Sequence, residues 1–134
     1  MSSRKRIAVA AVIALLLLLC MAASVVLRPM FGNPWPDVAR WMAWSGAYKA
    51  AVMGQPEPLD HELKHIEWDG WGWGGEDTSV YLVFDPMDAL AGAGRSHQPG
   101  KYNGIPCEVD RVKRLEAKWY TVRFYTDRVW RAGC

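Results

Sequence analysis

The feature that most constrains this 134-residue chain is an uninterrupted apolar segment at residues 7–27, preceded by three consecutive basic residues at positions 4–6. The segment contains no charged residue and no proline, and its only polar groups are the hydroxyl of Ser24 and the thiol of Cys20. A helix of about 20 apolar residues can cross a bilayer with every internal backbone group hydrogen-bonded. The sequence therefore predicts a single transmembrane anchor over residues 7–27.

A cleavable signal peptide is the alternative interpretation of the same segment. Such a peptide has a basic start, a short apolar region and a cleavage site flanked by small residues, which residues 22–24 provide. The apolar run continues through residues 25–27, beyond that site. A lipoprotein signal is disfavoured because the bulky Leu19 precedes Cys20. The length of the run favours the uncleaved anchor.

Flanking charge predicts the orientation. Three cations precede the span and only Arg28 follows it closely, and positive residues remain on the cytoplasmic side. We therefore expect a cytoplasmic basic segment at residues 1–6, a linker at 28–35 and an extracytoplasmic domain at 36–134. In a cell with two membranes this domain would be periplasmic. Nucleic acid is not an expected partner in that compartment.

Charge is distributed unevenly along the part that follows the span. Residues 33–94 carry three cations and ten carboxylates, whereas residues 95–134 carry nine cations and four carboxylates. Two interpretations remain open. Either the two halves pack together and neutralise each other, or the second half presents a basic face to an anionic partner.

Hydrophobic periodicity predicts one long helix and several strands. A helix starts near Pro36 and ends before Gly54, with apolar residues at helical spacing between them. Residues 63–68 and 79–85 are rich in β-branched and aromatic residues, which is typical of strands. Residues 69–77 contain four glycines, and we expect a long loop there. A short helix is predicted to start at Pro86 and to cover residues 87–91, with Asp85 as its cap.

Two more strands are predicted at residues 106–115 and 118–126, joined by a turn at residues 116–117. The apolar spacing slips by one residue in the first of them, which indicates a bulge. In the second, Tyr120 and Val122 share one face while Thr121 and Arg123 share the other. The predicted fold class is α+β, with one long helix packed on an antiparallel sheet of about four strands.

Cys107 and Cys134 are the two cysteines outside the apolar segment. An oxidising compartment favours a disulfide between them. Because the residue opposite Cys107 in the predicted hairpin lies near Tyr125, Cys134 reaches Cys107 only if residues 127–133 turn back across the end of the sheet. The alternative is a thiol at Cys134 that pairs with another chain.

Residues 61–65 read His-Glu-Leu-Lys-His and resemble the zinc site of the zincin metallopeptidases. The resemblance implies that His61 and His65 bind Zn²⁺ from one helix face, with Glu62 as the general base. Two prolines just before the motif and a glycine soon after it oppose a helix. On a strand, side chains four residues apart are separated by about 13 Å and cannot share a metal. We therefore expect no metal or cofactor here, and the metallopeptidase remains an alternative.

Trp68, Trp71 and Trp73 lie in the glycine-rich stretch and form the candidate binding site. Aromatic rings of this kind can stack on a cell-wall glycan or peptide, or they can fold back onto the sheet. No nucleophile motif surrounds the serines or cysteines of the chain. The sequence therefore predicts a membrane-anchored, non-enzymatic domain that contacts an envelope protein or another component of the cell envelope. A glycan- or peptide-binding module that uses the tryptophans is the alternative.

Overall fold

The computed structural model describes the backbone of residues 3–31, 36–73, 76–125, 127–131 and 134. It describes the side chains of these residues except those of 3–8, 25–31, 73 and 76. The helices and strands follow in chain order: α1 (Ser3–Phe31), α2 (Asp37–Met53), β1 (Lys64–Trp73), β2 (Glu76–Phe84), α3 (Ala91–Ser96), β3 (Val109–Glu116) and β4 (Trp119–Phe124).

Helix α1 contains the apolar segment. The side chains of residues 9–24 are all exposed. Within the part of the chain that the structure describes, no helix is both long enough and apolar enough to cross a membrane. The side chains at the two ends of the segment, residues 7, 8 and 25–27, lie outside the described residues.

The four strands form one antiparallel sheet in the order β1-β2-β4-β3. The two hairpins, β1-β2 and β3-β4, therefore join along β2 and β4, which are the central strands. The prediction of an α+β domain with a four-stranded antiparallel sheet is confirmed, as is the long helix α2.

The predicted loop at residues 69–77 is wrong, because most of this stretch continues the β1-β2 hairpin. Trp71 pairs with Thr78, and Gly72 with Asp77, so the ladder runs to the end of both strands. Alternating glycine and tryptophan is compatible with the two-residue repeat of a strand. A register shift between Glu67 and Asp69 interrupts the ladder.

The predicted helix at residues 87–91 is displaced toward the C-terminus. Residues 86–90 form turns, and α3 begins at Ala91. The carboxylate of Asp85 accepts hydrogen bonds from the backbone N–H groups of Met87 at 3.1 Å and Leu90 at 2.8 Å. Asp85 thus caps the turns that precede α3.

The β3-β4 hairpin agrees closely with the sequence pattern. Its ladder shifts between Val109 and Arg111 and again between Arg114 and Glu116, which confirms the predicted bulge. The turn lies at residues 117–118 rather than 116–117, because Glu116 pairs directly with Trp119. Lys118 occupies the second turn position with a φ of 67°.

Both faces of the sheet are covered by apolar side chains. Helix α2 packs on one face, where Trp41 and Val52 of the helix contact Trp68, Leu82 and Trp119 of the sheet. Alternate residues of the central strands point to the opposite face. There they form a second core with α3 and the segment before β3: Val83, Leu90, Ala93, Ile105, Cys107, Val109, Val112, Tyr120, Val122 and Phe124. The alternation predicted for β4 is confirmed.

Ion pairs connect the acidic first half of the domain to the basic second half. Lys113 pairs with Asp37 at 2.9 Å, and Arg114 pairs with Asp88 at 3.3 Å. A third ion pair has its cation in the first half and its carboxylate in the second: Lys49 pairs with Glu116 at 2.8 Å. The opposite net charges of the two halves are therefore partly neutralised by ion pairs between them.

Helix α3 approaches the sheet closely at Gly94. A Cβ atom added to Gly94 would lie 2.9 Å from Cε1 of Tyr120 and 3.1 Å from Cβ of Arg114. The same atom added to Gly92, on the outer side of this helix, would meet nothing within 4 Å. Tyr120 is fully buried and cannot move aside without disturbing the second core.

These two glycines provide a matched pair of substitutions. We expect Gly94→Ala to lower the free energy of unfolding by about 1 to 3 kcal/mol through overpacking. Gly92→Ala should leave it unchanged or raise it by up to about 1 kcal/mol, because alanine favours the helix. Urea unfolding followed by tryptophan fluorescence measures both. Equal effects of the two substitutions would contradict the described packing of α3.

Candidate functional site

The His-Glu-x-x-His segment is not helical. Residues 61–63 form a turn and irregular backbone, and β1 follows at once. His61 is exposed, with a left-handed φ of 60°. The ring of His65 stacks on Trp130, with 3.6 Å between the ring centroids. Burial lowers the pKa of His65 below its ordinary value of 6.5.

Glu62, the residue that the zincin resemblance makes a base, binds the C-terminal segment. Its carboxylate accepts hydrogen bonds from Nε1 of Trp130 at 2.9 Å and from Nε of Arg131 at 2.8 Å. Burial raises the pKa of Glu62, but these two hydrogen bonds and the positive charge of Arg131 together lower it by more. The net pKa therefore lies below the ordinary value of 4.5. Within the described residues, no three histidine, cysteine or acidic side chains are grouped as metal ligands.

The structure separates the three candidate tryptophans. Trp68 is only 3% exposed and belongs to the core under α2. Its indole N–H donates to Asp37 at 2.9 Å, and the guanidinium of Arg40 lies 4.0 Å from its ring centroid. Trp71 is half-buried. The side chain of Trp73 lies outside the described residues.

A cleft of about 160 Å³ opens on the α2 face of the sheet, beside the N-terminal end of α2. The polar and aromatic side chains that line it come from the helix and three strands: Asp37, Trp68, Asp69, Trp71, Arg111, Lys113, Thr121 and Arg123. The register explains this grouping. Arg111 and Arg123 are directly opposite each other on β3 and β4, and Lys113 is opposite Thr121.

Three cations therefore converge on a small space, but they are not equally neutralised. Lys113 donates to Asp37 at 2.9 Å, and Arg123 pairs with Asp110. Arg111 is exposed and forms no ion pair or side-chain hydrogen bond with any described residue. Like charges directly opposite on neighbouring strands destabilise a sheet. The cleft thus has an excess of positive charge at Arg111.

Thr121 forms the inner wall of the cleft. The residue as a whole is 4% exposed and lines the cleft. Among the residues that the structure describes, no fully buried side-chain oxygen or nitrogen lacks a hydrogen-bond partner. The Thr121 hydroxyl can both donate and accept a hydrogen bond.

Asp37 holds the helix end of the cleft in place. One carboxylate oxygen accepts from Trp68 of β1 and the other from Lys113 of β3. Burial raises the pKa of Asp37, but the hydrogen bonds from Lys113 and Trp68 and the positive charges of Lys113 and Arg40 outweigh it. The net pKa therefore lies below the ordinary 3.8.

No sequence motif marks Arg111, Lys113 or Thr121 as site residues. The pattern of β4 did place Thr121 and Arg123 on one face, which is part of the cleft. The two cations of β3 remained hidden because the bulges in that strand change which residues share a face. Only the strand register shows that they lie beside Thr121 and Arg123.

The C-terminal segment turns back over the second core, as the cysteine pair requires. The backbone N–H of Asp127 donates to the carbonyl of Asp77, and the carboxylate of Asp127 accepts from the backbone N–H of Asp77. The ring of Trp130 packs beside Phe124 with centroids 5.7 Å apart. Cys107 and Cys134 lie at disulfide distance, with 5.0 Å between their Cα atoms. This placement favours the intramolecular pairing over a contact with another chain.

Comparisons of this chain with protein-family models, with curated proteins and with solved structures find no match.

The cysteine pair predicts a specific gel pattern. Under non-reducing conditions the oxidised monomer should migrate faster than the reduced one, and Cys134→Ser should abolish the difference. The variant should lose about 3 to 4 kcal/mol of stability, since the bond closes a loop with a sequence separation of 27. Cys20→Ser is the matched control and should migrate as the wild type, because Cys20 is free. A disulfide-linked dimer that requires Cys134 would contradict this pairing.

Asp37 predicts a pH dependence of stability. Because its folded pKa is lowered, its contribution is complete above about pH 4 and is lost as the pH falls through the folded pKa. We expect Asp37→Asn to be less stable than the wild type at pH 7 by about 1 kcal/mol. The gap should narrow below pH 3.8. Urea unfolding at pH 7 and pH 3 measures it.

The exposed Asp60 provides the control for this experiment. Asp60→Asn should cost little at either pH, because the side chain is 85% exposed and asparagine tolerates the left-handed φ of 58°. A stability gap for Asp37→Asn that stays constant between pH 7 and pH 3 would argue against the carboxylate contacts described above.

Proposed function

We propose that this protein is a non-enzymatic, single-pass membrane protein. Its domain of residues 36–134 lies outside the cytoplasm and contacts another component of the cell envelope. The observation that carries the proposal is the apolar segment at residues 7–27, directly preceded by three cations. In a bilayer this segment would be the anchor, with the basic end on the cytoplasmic side.

Two features of residues 9–24 motivate the proposal, although the described residues alone do not form a helix long and apolar enough to span a membrane. The apolar side chains of residues 9–24 are exposed around the whole helix, an arrangement that is unfavourable in water and favourable in lipid. The hydroxyl of Ser24 donates to the carbonyl of Met21 at 2.7 Å, so this polar group has its partner within the helix. Lipid requires such internal pairing.

The contacts of the carboxylates whose pKa values are lowered support a role without catalysis. Among the described carboxylates with lowered pKa values, Asp37 and Glu116 bind helix α2 to the sheet. Glu62 binds the C-terminal segment, and Asp88 binds Tyr120 and the backbone N–H of Lys118. Each of these groups has a structural partner that explains its shift.

A second candidate function is the binding of a cell-wall glycan or peptide. The observation that favours it is the position of Trp71 in the β1-β2 hairpin. Its half-buried ring borders the cleft, and it stacks on no other described aromatic ring. An amphipathic ring beside polar groups is suited to saccharide or peptide contacts.

The proposed topology predicts the behaviour of fusion reporters. A phosphatase fused after Cys134, of a type active only in an oxidising compartment, should be active. A fluorescent protein that matures only in the cytoplasm should be dark at the same position. Replacing the three cations at residues 4–6 with glutamate should reduce the phosphatase signal, because the charge bias is removed.

Two outcomes of the reporter experiment would overturn the proposal. One is a bright cytoplasmic reporter with an inactive phosphatase. The other is release of the phosphatase fusion into the soluble fraction with residues 1–24 removed, which would show a cleaved signal peptide. Recovery of the fusion from the membrane fraction with its N-terminal residues intact supports the anchor.

A further inference from the structure

The α2 face of the sheet carries a row of four side chains that crosses all four strands. The register places Asp69 on β1, Val80 on β2, Arg123 on β4 and Arg111 on β3 beside one another. Arg111 is at the open end of this row. Its guanidinium has no counter-charge among the described residues, although its cross-strand neighbour is another arginine.

A second observation comes from the next pair of the β3-β4 ladder, where Thr121 lies opposite Lys113. Arg111 and Thr121 line the same cleft. The unpaired guanidinium of Arg111 and the hydroxyl of Thr121 therefore border a common space, and one anionic oxygen group there could accept hydrogen bonds from both.

The size of the cleft limits what can enter. A volume of about 160 Å³ is smaller than the roughly 300–1,000 Å³ of a pocket that encloses a whole drug-sized ligand. The cleft accepts one substituent, while the rest of the ligand lies outside. Trp71 lines the cleft and offers a ring surface there.

We propose that this cleft is a binding subsite for the anionic group of an acidic saccharide. The carboxylate or phosphate accepts hydrogen bonds from the guanidinium of Arg111 and the hydroxyl of Thr121, and the sugar ring lies against Trp71. This inference rests on the second candidate function and names its ligand class. It does not depend on the membrane anchor.

The remaining charges of the cleft define where the anion sits. Lys113 is neutralised by Asp37, and Arg123 by Asp110. Asp69 lies at the β1 side, where its carboxylate accepts from the backbone N–H of Gly70 at 2.9 Å. Acidic groups thus flank the α2 and β1 sides, and the carboxylate of Asp110 on β3 is already paired with Arg123. Arg111 is the cation of the cleft that remains for a negative charge.

Tryptophan indole resonances report directly on this site. We would titrate the full chain, in micelles of a detergent without a sugar headgroup, with glucuronate, glucose 1-phosphate and glucose. The indole N–H signal of Trp68, which donates to Asp37 at the cleft, and that of Trp71 are assigned by Trp→Phe substitutions. We expect glucuronate or glucose 1-phosphate to shift these two signals saturably. Glucose should not shift them at the same concentrations.

Variants separate the subsite from general charge attraction. Arg111→Gln and Thr121→Val should each weaken binding of the shifting saccharide about tenfold, as expected for a lost hydrogen bond to a charged group. Arg95→Gln is the matched control, because Arg95 is also exposed but belongs to α3, on the opposite face. It should bind as the wild type. Unchanged indole spectra of the free variants verify that they fold.

The alternative outcomes have distinct meanings. Equal binding of glucose and the charged sugars would overturn the anionic subsite while leaving glycan binding intact. No shift with any sugar would overturn both. A shift by N-acetylglutamate that exceeds that of every sugar would replace the saccharide with an acidic peptide. Binding that survives Arg111→Gln and falls equally with Arg95→Gln would reduce the effect to nonspecific charge attraction.

Discussion

The carboxylate of Asp37 is the contact on which the rest of the domain most depends. It lies in the first turn of α2 and accepts hydrogen bonds from Trp68 on one edge strand and Lys113 on the other. One side chain thus ties the start of the helix to both edges of a four-stranded sheet. The apolar residues behind it, Trp41 and Val52, then complete a core that faces α2. Asp37 is also the residue of α2 that lines the cleft.

The two faces of the sheet are closed by different means. On one face a long helix covers the strands only in part, and the uncovered end becomes the polar cleft around Arg111 and Thr121. On the other face α3, the segment before β3 and the returning C-terminal segment complete the burial. There Trp130 bridges His65 and Phe124, and Cys134 comes within disulfide distance of Cys107. Both faces therefore contribute a buried core, and the α2 face keeps a cleft at its uncovered end.

Sequence patterns predicted the elements whose signals are local. Helix α2 and strand β4 follow directly from apolar spacing, and the bulge in β3 follows from a one-residue slip. Residues 69–77 were predicted as a loop because glycine has a low strand propensity. In the structure, backbone pairing of Trp71 with Thr78 and of Gly72 with Asp77 overrides that propensity. The cleft was missed because its members lie on separate strands and meet only through the strand register.

The ionisation of Asp37 tests this account most directly. The carboxyl carbon resonance of Asp37, followed against pH by NMR in the full chain, should titrate below the ordinary pKa of 3.8. In Lys113→Gln the midpoint should move upward, because a charged hydrogen-bond donor is removed while Trp68 remains. A wild-type midpoint at or above 3.8, or one that Lys113→Gln leaves unchanged, would contradict the role of this carboxylate as the link between helix and sheet.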